Sequence, residues 1–191
     1  MLPIKSAVLV GSLRKESFNR KVAKALIEIT PESVILEILE IGQLQMYNQD
    51  LDDNPPTEWT KFRDSLKTYD AVIFVTPEYN RSVPAVLKNA IDIASRPYGK
   101  NVFDKKPCAV ISVSIGSLGG FGANHHLRQS LVFLNAPTMA LPEAYLANAS
   151  KLFHQTGKLA DPATEEFLKL FMASFVDWAK TNSHRGKEAS L

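Results

Sequence analysis

Ile4-Lys5-Ser6-Ala7-Val8-Leu9-Val10-Gly11-Ser12-Leu13-Arg14-Lys15-Glu16-Ser17-Phe18-Asn19-Arg20 carries a β-branched apolar run that stops at a glycine and passes into a polar loop. Beyond it, Val22, Ala23, Leu26 and Ile27 recur at helical spacing. The segment therefore reads as strand, loop and helix. A loop in that position, at the start of a helix, meets ligands with backbone amides and the positive end of the helix dipole.

The same alternation continues outward along the chain. Residues 34–39 read as a second strand, and 46–57, rich in Asn, Asp and Pro, as a long surface loop. A helix is expected over 58–66. Ala71–Thr76 is a continuous apolar run of the kind buried on both faces of a parallel sheet, stopped by Pro77. Residues 84–94 suit a helix with Pro84 in its first turn. Cys108–Val113 forms the fourth strand, and Gly116, Gly119, Gly120 and Gly122 make a glycine-rich loop before a helix expected over 125–134. An amphipathic helix follows over 162–180. Strands alternating with helices specify a doubly wound parallel sheet. In the flavodoxin-like strand order ligands bind where the first and third strands meet, which brings the loops after Gly11 and Pro77 together.

Composition restricts the partners. The 191 residues are 45% hydrophobic and 22% charged, with 22 basic against 20 acidic side chains, so no strong field points to nucleic acid or a membrane surface. The N-terminal apolar run falls well short of the roughly 20 residues of a membrane-spanning helix. A single cysteine, Cys108, rules out an intrachain disulfide and fits a reducing cytoplasm. The expected organisation is one domain over residues 1–180 with a polar tail over 181–191, and the expected partner is a small molecule.

Three loops carry the candidate chemistry. In the first, Ser12, Ser17 and Asn19 offer neutral hydrogen bonds and Arg14 a charge-assisted one worth about 1.5 to 3 kcal/mol, a set suited to a terminal monophosphate. Ser17 also suits a helix cap, and the same residues describe an ordinary capped turn. The loop lacks both the G-x-G-x-x-G dinucleotide fingerprint and the Gly-Lys-Ser/Thr ending of an ATP-binding loop. In the second, Pro77-Glu78-Tyr79-Asn80-Arg81-Ser82-Val83-Pro84 presents aromatic and amide groups along which a flat heteroaromatic ring can lie; its other reading is a rigid Pro-bounded turn. The third, Ser114-Ile115-Gly116-Ser117-Leu118-Gly119-Gly120, lets backbone approach a ligand closely, or is simply a flexible turn.

The segments GSLRKESFNR, PEYNRSVPAVLKNAID and SIGSLGG followed by HHLRQ resemble the NADPH-dependent FMN reductase family, which includes bacterial quinone and chromate reductases and azoreductase-like proteins. With the strand pattern the resemblance covers nearly the whole chain. It implies a flavodoxin-like, doubly wound five-stranded parallel sheet with helices on both faces, bound FMN, and NADPH or NADH as co-substrate. Carried onto matching positions, Ser12, Arg14, Ser17 and Asn19 hold the phosphate with the intervening amides, so Lys15, Phe18 and Arg20 join the cofactor-binding set. Pro77, Glu78, Tyr79, Asn80 and Arg81, with Ser114 and Gly116, border the isoalloxazine. Arg81 stands where relatives often carry an aromatic or small residue. The acceptors implied are quinones, azo compounds or metal oxyanions, and the assembly a homodimer or homotetramer with Arg128 near an interface.

The flavin itself supplies the chemistry in this reading, with hydride entering and leaving through N5 in alternating half-reactions, and no side chain is expected to act as an acid or base. Glu78 is assigned a structural or backbone-binding role. His125 and His126 are adjacent on a helix and diverge, with no carboxylate at ligand spacing, so no metal site is expected. Cys108 lacks the C-x5-R loop of a low-molecular-weight tyrosine phosphatase and reads as a buried thiol. Asp50, Asp52 and Asp53 read as solvated. Two rivals are an electron-carrying flavodoxin, disfavoured by the formal charge of +2 where such carriers use an acidic face, and a flavin-binding sensor. Steady NAD(P)H oxidation with a quinone separates the enzyme from both.

Overall fold

A computed structural model describes residues 3–183. Five parallel strands, β1 (Ile4–Val10), β2 (Val34–Ile38), β3 (Ala71–Thr76), β4 (Cys108–Val113) and β5 (Ala144–Leu146), lie in the order β2-β1-β3-β4-β5. Five helices accompany them: α1 (Phe18–Ile29), α2 (Thr57–Lys67), α3 (Ala85–Ala94), α4 (Phe121–Phe133) and α5 (Pro162–Asn182). The expected doubly wound, flavodoxin-like sheet is the observed one. The register pairs Val10 with Val75 and Thr76 with Ser112, so the C-terminal ends of β1, β3 and β4 finish side by side.

Strand alternation separates two apolar layers, because successive side chains point to opposite faces. Val8, Val10, Ile73, Val75, Ala109 and Ile111 pack against Val22 and Leu26 of α1 and against Leu168, Phe171, Met172 and Phe175 of α5. Ala7, Leu9, Val72, Phe74, Cys108 and Val110 meet Trp59, Phe62 and Leu66 of α2, Leu87 and Ile91 of α3, and Leu127 and Leu131 of α4. Each large apolar side chain so buried contributes about 1.5 to 3 kcal/mol relative to exposure. Every residue of β3 and β4 is buried, which is why those runs are apolar except for Thr76 and Ser112.

Several boundaries differ from the sequence reading. The fifth strand is only three residues long and lies in a stretch with too little apolar periodicity to mark it. Helix α4 starts at Phe121 instead of His125, because its first turn is capped from outside the local sequence, as described below. Helix α5 runs to Asn182, two residues into the expected polar tail. Residues 184–191 of that tail, and residues 1 and 2 of the N-terminal run, lie outside the described residues.

Candidate active site

The loop between β1 and α1 turns at Gly11, where a side chain would crowd its neighbours: a Cβ would sit 3.1 Å from Leu87 Cδ2, 3.2 Å from Pro77 Cδ and 3.3 Å from Thr76 Oγ1. The Gly11 amide donates to the Val75 carbonyl at 2.9 Å, so the first loop starts directly against the end of β3. Ser12 and Ser17 are buried, while Arg14 and Lys15 are exposed. Ser17 caps α1, its Oγ accepting the Arg20 amide at 3.2 Å. Asn19 is 5% exposed, and its Oδ1 has no hydrogen-bond partner among the described residues. An orphaned buried acceptor costs free energy unless a donor reaches it. Arg14 and Lys15 form no ion pair among the described residues, so two cations stand at the positive end of α1.

Two residues of this loop are otherwise engaged. The Arg20 guanidinium meets Glu40 with two bonds of 2.7 Å, and holds that carboxyl below its ordinary range. The Phe18 ring stacks on Phe153 with centroids 6.2 Å apart, leaving its backbone as the part that faces the loop.

The second loop is a tight hairpin. Tyr79 and Ser82 exchange both backbone bonds, at 3.1 and 3.0 Å, across Asn80 and Arg81, which adopt positive φ of 51° and 64°. The left-handed conformation costs a side chain such as arginine about 1 to 2 kcal/mol. That turn leaves Tyr79 about half exposed and the Arg81 side chain 74% exposed, with Nη1 3.4 Å from Glu78 Oε1. Glu78 does the opposite: its side chain is 11% exposed, and Oε2 accepts the Ala123 amide of α4 at 3.1 Å. Gly120 at the helix start has no side chain to cap with, so Glu78 caps α4 from across the site. His126 Nδ1 lies 3.0 Å from Ser82 Oγ, fixing the same helix to the hairpin.

The third loop leaves β4 beside the other two, with Gly116 N bonded to Ser114 Oγ at 3.1 Å and Ile115, Leu118 and Phe121 exposed. The structure thus brings Ser12 to Asn19, Pro77 to Arg81 and Ser114 to Gly116 to one end of the sheet. Asp50 and Asp53 stand apart and exposed on the 46–57 loop, whereas Asp52, expected solvated with them, is half-buried: its Oδ2 accepts the Tyr47 hydroxyl at 3.1 Å and its Oδ1 is buried without a partner among the described residues. No group of three or more His, Cys, Asp or Glu side chains able to hold a metal occurs among the described residues.

Two site-shaping asparagines escaped the sequence reading. Asn89 of α3, 4% exposed, accepts the Tyr47 amide at 2.8 Å and donates to the carbonyls of Leu44 and Gln45, pinning the long loop after β2. Asn124 of α4, fully buried, donates to Ser112 Oγ and Ala144 O and accepts Arg128 Nε at 2.8 Å. Arg128 also donates to the Met139 carbonyl, so its guanidinium is bonded within the chain. A polar residue on an otherwise apolar helix face was the available signal.

A flavodoxin-like sheet whose switch point carries a capped helix N-terminus and a polar hairpin has the architecture of a flavin-binding class of protein. Residues 4–151 match the NADPH-dependent FMN reductase family. The chain is 59% identical over 177 residues to a quinone reductase of Pseudomonas putida, covering 92% of this chain and 95% of that one. It is 38% identical over 179 residues to a 2-hydroxy-1,4-benzoquinone reductase of a Burkholderia species, covering 94% and 98%. Among solved structures, the flavoenzyme NAD(P)H:(acceptor) oxidoreductase FerB of Paracoccus denitrificans superposes with a TM-score of 0.88 at 39% identity, over 94% of this chain and 99% of that one. The chain belongs to the NADPH-dependent FMN reductase family.

Proposed function

We propose that the protein is an FMN-dependent NAD(P)H:quinone oxidoreductase. The observation that carries the reading is the meeting of the capped α1 loop and the Tyr79–Ser82 hairpin at the end of β1 and β3, an anion cradle facing a flat polar shelf. The donor set fits FMN. Arg14, Lys15 and the first amides of α1 take a dianionic phosphate, Ser12 and Ser17 line its approach, and the orphaned Asn19 Oδ1 accepts from a hydroxyl of the ribityl phosphate. Phe18 contributes backbone, and Arg20 shapes the first turn through Glu40. Pro77, Glu78, Tyr79, Asn80 and Arg81 border the isoalloxazine on one side, and Ser114 and Gly116 on the other.

FMN held by these residues would supply the redox chemistry, the transfer of hydride from NAD(P)H to the acceptor. The chain's part is to hold one face of the ring against backbone and leave the other open, so that nicotinamide and acceptor take turns on it. Quinones are the acceptors supported by the relatives' names; azo compounds and metal oxyanions are the family's other expected acceptors. No helix among the described residues is long and apolar enough to cross a membrane, and we place the protein in the cytoplasm. The functional unit is a single domain that associates as a homodimer or homotetramer.

The test is kinetic. The purified protein should release FMN and not FAD on denaturation. Initial rates of NADPH oxidation at several fixed naphthoquinone concentrations should give parallel double-reciprocal lines, as sharing of one face requires. Intersecting lines would exclude the shared face, and absence of turnover would leave a flavin carrier or sensor.

A further inference from the structure

Reduction of a quinone needs more than hydride. Hydride brings two electrons and one proton, and the second carbonyl oxygen requires a proton of its own before the hydroquinone leaves neutral. The flavin delivers the first; a group on the protein can deliver the second. Beside the third loop stands a cluster the hydride step does not use. Gly119 approaches Tyr145 so closely that a Cβ there would lie 2.8 Å from the tyrosine carbonyl carbon, which sets Tyr145 against the glycine-rich loop. One turn into α4, His125 Nε2 lies 2.9 Å from Tyr145 Oη, and Glu143 Oε1 lies 4.0 Å from the same nitrogen. The Phe121 ring packs on the imidazole with centroids 4.2 Å apart and on Tyr145 at 5.4 Å.

These contacts fix the imidazole. The 2.9 Å contact between Nε2 and the phenol oxygen holds the ring's orientation, and Nδ1 has no hydrogen-bond partner among the described residues. The side chain is 43% exposed, so it exchanges protons with water. Burial, then the Glu143 carboxylate, pushes Tyr145 up to about 12, so the phenol stays protonated throughout the neutral range. Glu143 and Tyr145 from the β5 segment and Arg128 from α4 are the titratable and charged groups around the pair. Phe121, about half exposed and packed on the imidazole, offers an apolar surface next to it, suited to the ring of a planar acceptor.

Resting on the quinone-reductase reading, we infer that His125, positioned by Tyr145 and Glu143, is the proton donor to a quinone bound against Phe121. The Nδ1 proton passes to the acceptor oxygen as hydride is delivered, the quinone becomes a neutral hydroquinone, and the neutral imidazole regains its proton from water. This goes beyond the expectation that no side chain takes part as an acid. An imidazole can give up a proton from one ring nitrogen while the other keeps its hydrogen bond, which suits the role.

The FMN-loaded protein, His125→Gln and Tyr145→Phe are to be compared with a naphthoquinone and with ferricyanide, which accepts electrons without protons. In the wild type, naphthoquinone turnover should fall with rising pH as the donor loses its proton, whereas ferricyanide turnover should not follow that profile. His125→Gln should lower naphthoquinone kcat at least about tenfold more than ferricyanide kcat and flatten the profile, at the modest end of general-acid effects. Proton NMR of the His125 imidazole should show its titration displaced in Tyr145→Phe, a reading independent of turnover. Equal losses with both acceptors, no loss with either, or an undisplaced titration would overturn the inference. A wild type that turns over ferricyanide with NADPH but no quinone would refute the underlying assignment instead.

Discussion

At the scale of the residue, Arg14 and Arg20 show how two arginines of one loop divide. Arg20 is held by two short bonds to Glu40, whereas Arg14 is exposed and unpaired among the described residues. A free guanidinium at a helix N-terminus strengthens binding of a phosphate through charge-assisted bonds that desolvation reinforces. Arg14→Ala should therefore weaken FMN affinity about tenfold or more, at roughly 1.4 kcal/mol per decade. Titration of the apoprotein by flavin fluorescence measures it, with riboflavin as the control: riboflavin lacks the phosphate and should bind wild type and variant alike. Equal FMN affinities would remove Arg14 from the cradle. The sequence singles out Arg14 for the phosphate but does not show that Arg20 is taken, since its partner Glu40 lies 20 residues away on the far side of β2. Ser17 was legible as a cap because its partner is three residues on.

At the scale of the element, helix α4 is the instructive case. Its first turn carries Gly120 and Phe121, neither able to cap, and its amide is satisfied by Glu78 from 45 residues earlier. A start signal that distant leaves no trace in the local pattern, so the helix was placed four residues late. Strands β3 and β4 were legible because burial on both faces writes itself as an apolar run. Strand β5 was not, because three residues hold no period. Glu78→Ala should cost about 1 kcal/mol, the usual loss on removing a cap, read as a lower urea midpoint at unchanged slope. Because the same carboxylate ties α4 to the hairpin, the variant should also loosen FMN. A wild-type midpoint would show that water replaces the cap without penalty.

At the scale of the whole molecule, α4 ends in Val132 and Phe133, 75% and 83% exposed, beside a groove between α3 and α4 that includes Val83, Ile91 and His126. Apolar side chains this exposed mark association surfaces. A second copy related by two-fold symmetry is the commonest way to cover such a face. Light scattering at micromolar concentration should accordingly report at least a dimer, and Phe133→Asp should shift it toward monomer; a monomeric, fully active wild type would contradict that assembly. The sheet has a separate consequence for a protein that handles quinones. Quinones are electrophiles that alkylate thiolates. The chain's single sulfhydryl, Cys108, is completely buried in β4, and burial raises its pKa far above the ordinary thiol range. Kept protonated and shielded at the centre of the sheet, it offers a quinone no sulfur to arylate, so the catalyst is protected from alkylation by the compounds it reduces.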